Sequence, residues 1–148
     1  MERLRDVDES GLLARLFPVY AAAGGSTGVP VGPGDDAAVV AAPSGSVVVT
    51  TDSMVRDLDW RDDWSGAEDV GWKVVAQNLA DVAAMGARPT SLVVALAADP
   101  GTTVQWCIGL ATGIAAAAGK HGVAVVGGDL SAAPPGVVVV AVTALGDL

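Results

Sequence analysis

Cysteine is almost missing. Cys107 is the only one in 148 residues, so no disulfide can close within the chain. Histidine is as scarce, and one Cys with one His (His121) cannot furnish an all-protein zinc site. Positive charge is also short: 8 Lys and Arg face 17 Asp and Glu, a net charge of −9. That balance disfavours nucleic acid and anionic membranes, whose phosphates need positive partners. It does not exclude a phosphate ligand, provided a cation lies between acid and phosphate. Long apolar runs are lacking too. The longest, near 107–118 and 137–145, are too short to span a bilayer as helices. The start, MERLRDVDES, has no apolar core of a signal peptide. Together these absences predict a soluble cytoplasmic protein with neither a nucleic-acid nor a membrane partner.

Aromatic residues make up only 4% of the chain while the hydrophobic fraction is 51%, so the core must be built from small and β-branched side chains. The length fits one domain with a real core. The acids are uneven, 14 Asp against 3 Glu. Asp is short and suits turns, caps and rigid cation sites.

Along the chain, ESGLLARLFPVYAAA (9–23) has apolar residues at helical spacing, with Ser10 as a possible cap and Pro18 as a stop or kink. A Gly/Pro-rich loop follows. AAVVAA and SVVVTTDSMV are expected to form two strands of a hairpin around PSG. RDLDWRDDWSG is a polar loop whose two Trp suggest a lid or contact surface. AEDVGWKVVAQNLADVAAMGARP is the clearest helix, with Glu68 and Asp69 at its positive end and Gly86 and Pro89 closing it. TSLVVALAA is expected to be a strand buried on both faces. TTVQWCIGLATGIAAAAGKHG is a second helix, on which Gly109 and Gly113 favour close helix packing. VAVVGGDLS reads as a strand running into a Gly-Gly-Asp turn, and PPGVVVVAVTALG as a last strand. The predicted order α, β, β, α, β, α, β, β implies an α+β fold with a mixed sheet packed with helices. The end of the chain is expected to mark one domain, 1–148, of something longer.

Four Asp stand at ends of regular elements: Asp36 where a strand begins, Asp52 after Thr50 and Thr51, Asp81 on the long helix, and Asp129 after Gly127 and Gly128. Lys73, Gln77 and Asp81, joined by Asn78, form a polar stripe on an otherwise apolar helix and predict a buried or cleft-facing surface. Thr50 and Asp52 share one side of a strand, so hydroxyl and carboxylate can serve one ion. Oxygen donors of this kind suit Mg²⁺ shared with substrate phosphates. Gly127–Gly128 lets backbone approach a phosphate closely. Of the neighbours Asp35 and Asp36, Asp36 is expected to be the ligand and Asp35 a turn or supporting residue.

In order and spacing, GDDAAVV, TTDSMV, GWKVVAQNLADVAAMGARP and VVGGDLS resemble the N-terminal half of the thiamine-monophosphate kinase family. That family is related to aminoimidazole ribonucleotide synthetase, selenophosphate synthetase and the hydrogenase maturation protein HypE. The resemblance runs from about residue 9 to residue 146, with NLADVAAMGARP its most discriminating piece. It implies the fold of the N-terminal domain of aminoimidazole ribonucleotide synthetase. It also implies direct in-line transfer of the ATP γ-phosphate to thiamine monophosphate, assisted by several Mg²⁺ ions, without a side-chain nucleophile. By position, Asp36, Thr50, Thr51, Asp52, Asp81 and Asp129 match metal ligands, and Gly128 and Asp129 the stretch that meets ATP. Lys73 and Asn78 match the helix pattern, as support for Asp81 or as phosphate contacts. A homodimer through the sheets is implied as well. There are two departures. The family usually has a His-Phe pair, touching the thiamine phosphate, where this chain has Asp59-Trp60. Its C-terminal domain is absent from this chain. The same residues leave open another ATP-dependent enzyme of the superfamily, or a non-catalytic nucleotide-binding or dimerisation module.

Overall fold

Runs of valine, stiff at χ1 and well packed on a pleated surface, form the strands of this protein, and alanine-rich amphipathic stretches form its helices. The computed structural model describes residues 1–148 except Ser26 and Asp35. A single 3-10 turn at Leu4–Asp6 leads into α1 (Glu9–Ala22), β1 (Val47–Val55), α2 (Ala67–Ala84), β2 (Arg88–Ala98), α3 (Val104–Lys120), β3 (Ala124–Ala132) and β4 (Val138–Asp147). The fold is α+β, as expected.

The four strands form one mixed sheet in the order β1-β4-β2-β3. β4 runs antiparallel to both β1 and β2, while β2 and β3 are parallel. The units β1-α2-β2 and β2-α3-β3 both step across the sheet in the same direction. Crossovers of the same hand then lay their helices on one face. There α2 and α3 meet backbone to backbone: a Cβ on Gly71 would collide with the Leu110 carbonyl, and one on Gly113 with the Glu68 carbonyl. The packing role expected for Gly113 is therefore observed.

Among the described residues, helices cover only that face. Along β4, Val138, Val140, Val142 and Ala144 are fully buried, and the alternate residues are half-buried. On β2, Leu92, Val94, Leu96 and Ala98 are buried, whereas Val93 is 36% exposed. The expectation that β2 is buried on both faces fails, because no helix of the described residues lies on the second face.

Other local expectations need correction. The α1 cap is Asp8, whose Oδ1 accepts the Gly11 N–H at 2.8 Å, so Ser10 lies inside the helix. Pro18 does not end α1; it sits on the exposed side, where the Ala14 carbonyl it leaves without a donor can meet water. AAVVAA forms no strand beyond an isolated bridge between Val31 and Val39. The ladder partner of β1 is β4, brought from the far end of the chain, and no hairpin forms. Asp36 stands in a bend. Gly-Gly-Asp is no turn either, since β3 continues through Gly127, Gly128 and Asp129 to Ala132. The boundaries of α2 hold: the Gly66 N–H is taken by Asp69 at 2.9 Å, and Gly86 closes the helix with a left-handed φ of 80°.

Candidate functional site: two oxygen-rich edges of one sheet

The residues singled out in the sequence fall at the two edges of the sheet. At the β1 edge, Thr50 and Asp52 are half-buried on the helix-covered face, as their shared parity requires. Thr51 points to the uncovered face. Its hydroxyl donates to the Val142 carbonyl at 3.0 Å and accepts from Thr143 at 3.1 Å. The structure therefore does not bring the Thr51 side chain together with Thr50 and Asp52.

Helix α2 returns antiparallel to β1 and lies over β1 and β4. Val82 packs on Gly146, which is in register with Val48. Four helical residues, about 6 Å, nearly match a two-residue step of a strand. Asn78 therefore lies at the level of the Thr50–Ala144 pair, and Val74 at that of Asp52–Val142. Asp81 sits three residues on from Asn78, about 60° round the helix, and is exposed beside this edge. Lys73 and Gln77 are exposed on the same flank. Only Asn78 of the predicted stripe is buried, at 0% exposure. Its Nδ2 donates to the Val74 carbonyl at 2.8 Å, while its Oδ1 has no hydrogen-bond partner. An orphaned carbonyl oxygen one turn before an Asp is a hard donor that the fold itself does not use.

At the β3 edge, α1, the residues Pro33, Gly34, Asp36, Ala37, Ala38 and Val40, and β3 surround a cavity of about 680 Å³. Its wall is apolar, with Leu13, Phe17 and Tyr20 from α1, Cys107 and Leu110 from α3, and Leu130 from β3. Asp36, Gly127, Gly128 and Asp129 line it as well. An adjoining cavity of about 350 Å³ shares Phe17, Tyr20 and Pro33. Burial pushes the Cys107 thiol up to about 11 and the Tyr20 phenol still further, so both stay neutral and serve as wall. Sequence analysis missed this wall, although Leu13, Phe17 and Tyr20 repeat at helical spacing beside the core residues Leu12 and Leu16.

The two glycines differ. A Cβ on Gly128 would collide with the Val94 carbonyl of the neighbouring strand, so close strand packing already requires that glycine. A Cβ on Gly127 would meet nothing within 4 Å. No feature of the fold demands a glycine there, and its bare backbone faces the cavity.

The loop after β1 is a built structure. Asp59 Oδ2 accepts the Val55 N–H at 2.7 Å, so its carboxylate caps the strand. Trp60 is buried and stacks on Trp106 with ring centroids 6.0 Å apart, and its Nε1 donates to Asp62 at 3.1 Å. Arg56 lies 3.3 Å from Asp62 and over the Trp106 ring. Of the two Trp expected to form a lid or contact surface, Trp60 is core. Trp64 is 76% exposed, under the Arg61 guanidinium.

The two edges are not adjacent. Asp52 shares a transverse row with Val142, Val94 and Gly128, three inter-strand steps or about 14 Å. Asp129 falls in the next row and projects to the uncovered face. Among the described residues, no three His, Cys, Asp or Glu gather into a metal-binding group. Asp35 lies outside the described residues.

Residues 34–148 match the model of the AIR synthase related protein, N-terminal domain. The chain is 48% identical over 118 residues to the thiamine-monophosphate kinase of Mycobacterium tuberculosis, covering 80% of this chain and 35% of that protein. It thus spans about a third of the length of such curated relatives. The crystal structure of thiamine-monophosphate kinase from Stenotrophomonas maltophilia superposes with a TM-score of 0.76 at 32% identity, covering 96% of this chain and 43% of that one. AaThiL complexed with AMPPCP and TMP shares the fold, with a TM-score of 0.66 at 24% identity, covering 99% and 44%. Fold, motifs and matches agree: the chain belongs to the AIR synthase related family and carries its N-terminal domain.

Proposed function

We infer that this chain is the ATP-binding part of a thiamine-monophosphate kinase. The observation that carries this reading is the cavity at the β3 edge, which gathers Asp36, Gly128 and Asp129 beside an apolar wall suited to a nucleoside. It occurs in a chain 48% identical to a named thiamine-monophosphate kinase. In the reaction, a phosphate oxygen of thiamine monophosphate attacks the γ-phosphorus of ATP. The bond from that phosphorus to the β–γ bridging oxygen breaks, giving thiamine diphosphate and ADP.

Among the described residues, no side chain is placed to act as an intermediate nucleophile. Cys107 is buried and neutral, and His121 follows the C-terminal end of α3. Direct in-line transfer, driven by positioning and charge stabilisation, fits such a site. Mg²⁺ is usually held by one or two carboxylates and completed by water and phosphate oxygens. The donors present fit that habit without a cluster of three. Asp52 and Asp81, with the Thr50 hydroxyl and the orphaned Asn78 Oδ1 nearby, would hold ions at the β1 edge. Asp36 and Asp129 would do so at the cavity. When bound, the ions neutralise the polyanionic substrates. The chain's own residues bind the nucleoside, orient its phosphates along the bare Gly127 backbone, and exclude water with the apolar wall. Thr51 and Asp59 fit less directly, since the Thr51 side chain faces away and the Asp59 carboxylate caps β1.

The uncovered sheet face, where Val49 is 60% exposed, is the surface through which two copies would pair. No helix of the described residues is long and apolar enough to cross a membrane, in keeping with a cytoplasmic enzyme. The separation of the two carboxylate sets favours one other reading, a nucleotide-binding or dimerisation module without turnover.

Calorimetric titration of Mg²⁺ and AMPPCP into the chain tests the proposal. Mg²⁺-dependent binding is expected. Its absence in a folded chain removes the nucleotide reading. Binding without phosphoryl transfer to thiamine monophosphate leaves the module.

A further inference from the structure

Lys73 stands apart from the other cations of this acidic chain. Arg15, Arg56 and Arg61 are committed to ion pairs with Glu2, Asp62 and Asp63. Lys120 lies over the Trp72 ring. Arg3 and Arg5 belong to the N-terminal segment, and Arg88 sits opposite Asp147 at the far end of the sheet. Lys73 is exposed on α2, on the flank it shares with Gln77 and Asp81 and at the level of Asp52, yet it forms no ion pair among the described residues.

A neutral group holds it in place. Lys73 Nζ donates to the main-chain carbonyl of Asp59 at 3.0 Å. A carboxylate there would cancel the charge. A carbonyl leaves it whole, with two further N–H donors. The carbonyl is itself fixed: the Asp59 carboxylate takes the Val55 N–H, and the adjoining Trp60 is buried against Trp106. The ammonium is thus preorganised at the end of β1, on the flank that also carries Asp52 and Asp81.

We propose that Lys73 binds the phosphate of the acceptor and so selects a phosphate monoester over its unphosphorylated alcohol. The proposal rests on the kinase reading above. The nucleoside-sized cavity lies at the opposite edge, about three strand spacings away, so the β1 flank is left for the second phosphate ligand. A dianion entering beside Asp52 and Asp81 needs a fixed cation, and Lys73 is the cation this flank offers.

The test is calorimetry on the chain with Mg²⁺ present, titrating thiamine monophosphate, thiamine and AMPPCP into the native protein, Lys73→Gln and Lys73→Arg. Thermal melts check that each variant is folded. Lys73→Gln is expected to weaken thiamine monophosphate about tenfold, the loss of one charge-assisted hydrogen bond, while AMPPCP and thiamine stay within about twofold. Lys73→Arg should recover part of the loss. Unchanged affinity for thiamine monophosphate in Lys73→Gln overturns the proposal, as does an equal loss for AMPPCP. A native chain that binds AMPPCP but not thiamine monophosphate overturns it and leaves the nucleotide reading standing. A native chain that binds neither ends both.

Discussion

At the scale of single residues, the acids could be picked out from the sequence, but their surroundings could not. Asp81 is exposed, on a helix whose core side is Val74, Val75 and Val82. Replacing it with Asn should abolish Mg²⁺-dependent binding of thiamine monophosphate and shift the melting temperature by no more than a degree or two, as surface substitutions do. Unchanged binding of thiamine monophosphate would remove Asp81 from the site. The glycine pair carries a second contrast. Gly127→Val has open space for its side chain and should block AMPPCP in a folded protein. Gly128→Ala runs into the Val94 carbonyl and should cost about 1–3 kcal/mol in urea unfolding. Equal destabilisation by the two would contradict the assignment of Gly127 to the cavity. Sequence spacing could not separate these neighbours, because what distinguishes them is a carbonyl on another strand.

Among the elements, the helices were legible because their signals are local. Asp69 at the start of α2 and Gly86 at its end both act within a few residues. In α1 the errors were local, with Asp8 rather than Ser10 as its cap and Pro18 inside it, whereas the strand errors came where a partner arrives from far along the chain. β1 has the composition of a hairpin strand, yet β4 takes its ladder, and AAVVAA keeps only an isolated bridge to Val31. Close contact of α2 and α3 predicts that Gly113→Ala, which drives a methyl into the Glu68 carbonyl, destabilises by about 1–3 kcal/mol in denaturant unfolding. Asp99 joins the end of β2 to the turn before β4. It accepts the Gly136 N–H at 2.8 Å and the Gly101 N–H at 2.7 Å, and these bonds hold its carboxyl below the ordinary 3.8. A lowered folded-state pKa means that the unfolded chain binds the proton more readily. The contribution is complete above pH 3.8 and is lost as pH falls through the folded value. Melting temperature should therefore fall less steeply below about pH 4 in Asp99→Asn than in the native chain. Parallel slopes would mean that Asp99 is not the group responsible.

For the whole molecule, the one-sided covering of the sheet has the largest consequence. Val47, Val49 and Val93 remain exposed on the face opposite the helices. Pairing of two copies through that face predicts a dimer in sedimentation, converted to a monomer by Val93→Asp without loss of helical circular dichroism. A native chain that sediments as a monomer at micromolar concentration would exclude the pairing. By itself the sequence determined the α+β class, the boundaries of α2, the acidic oxygen donors and the family, since capping, periodicity and motif spacing are properties of neighbours along the chain. Only the tertiary structure decided which strand lies beside which, that one face of β2 stays open, and that α1 with β3 encloses a cavity. Each of these depends on contacts between residues tens of positions apart, where the chain must close before any side chain learns what it faces.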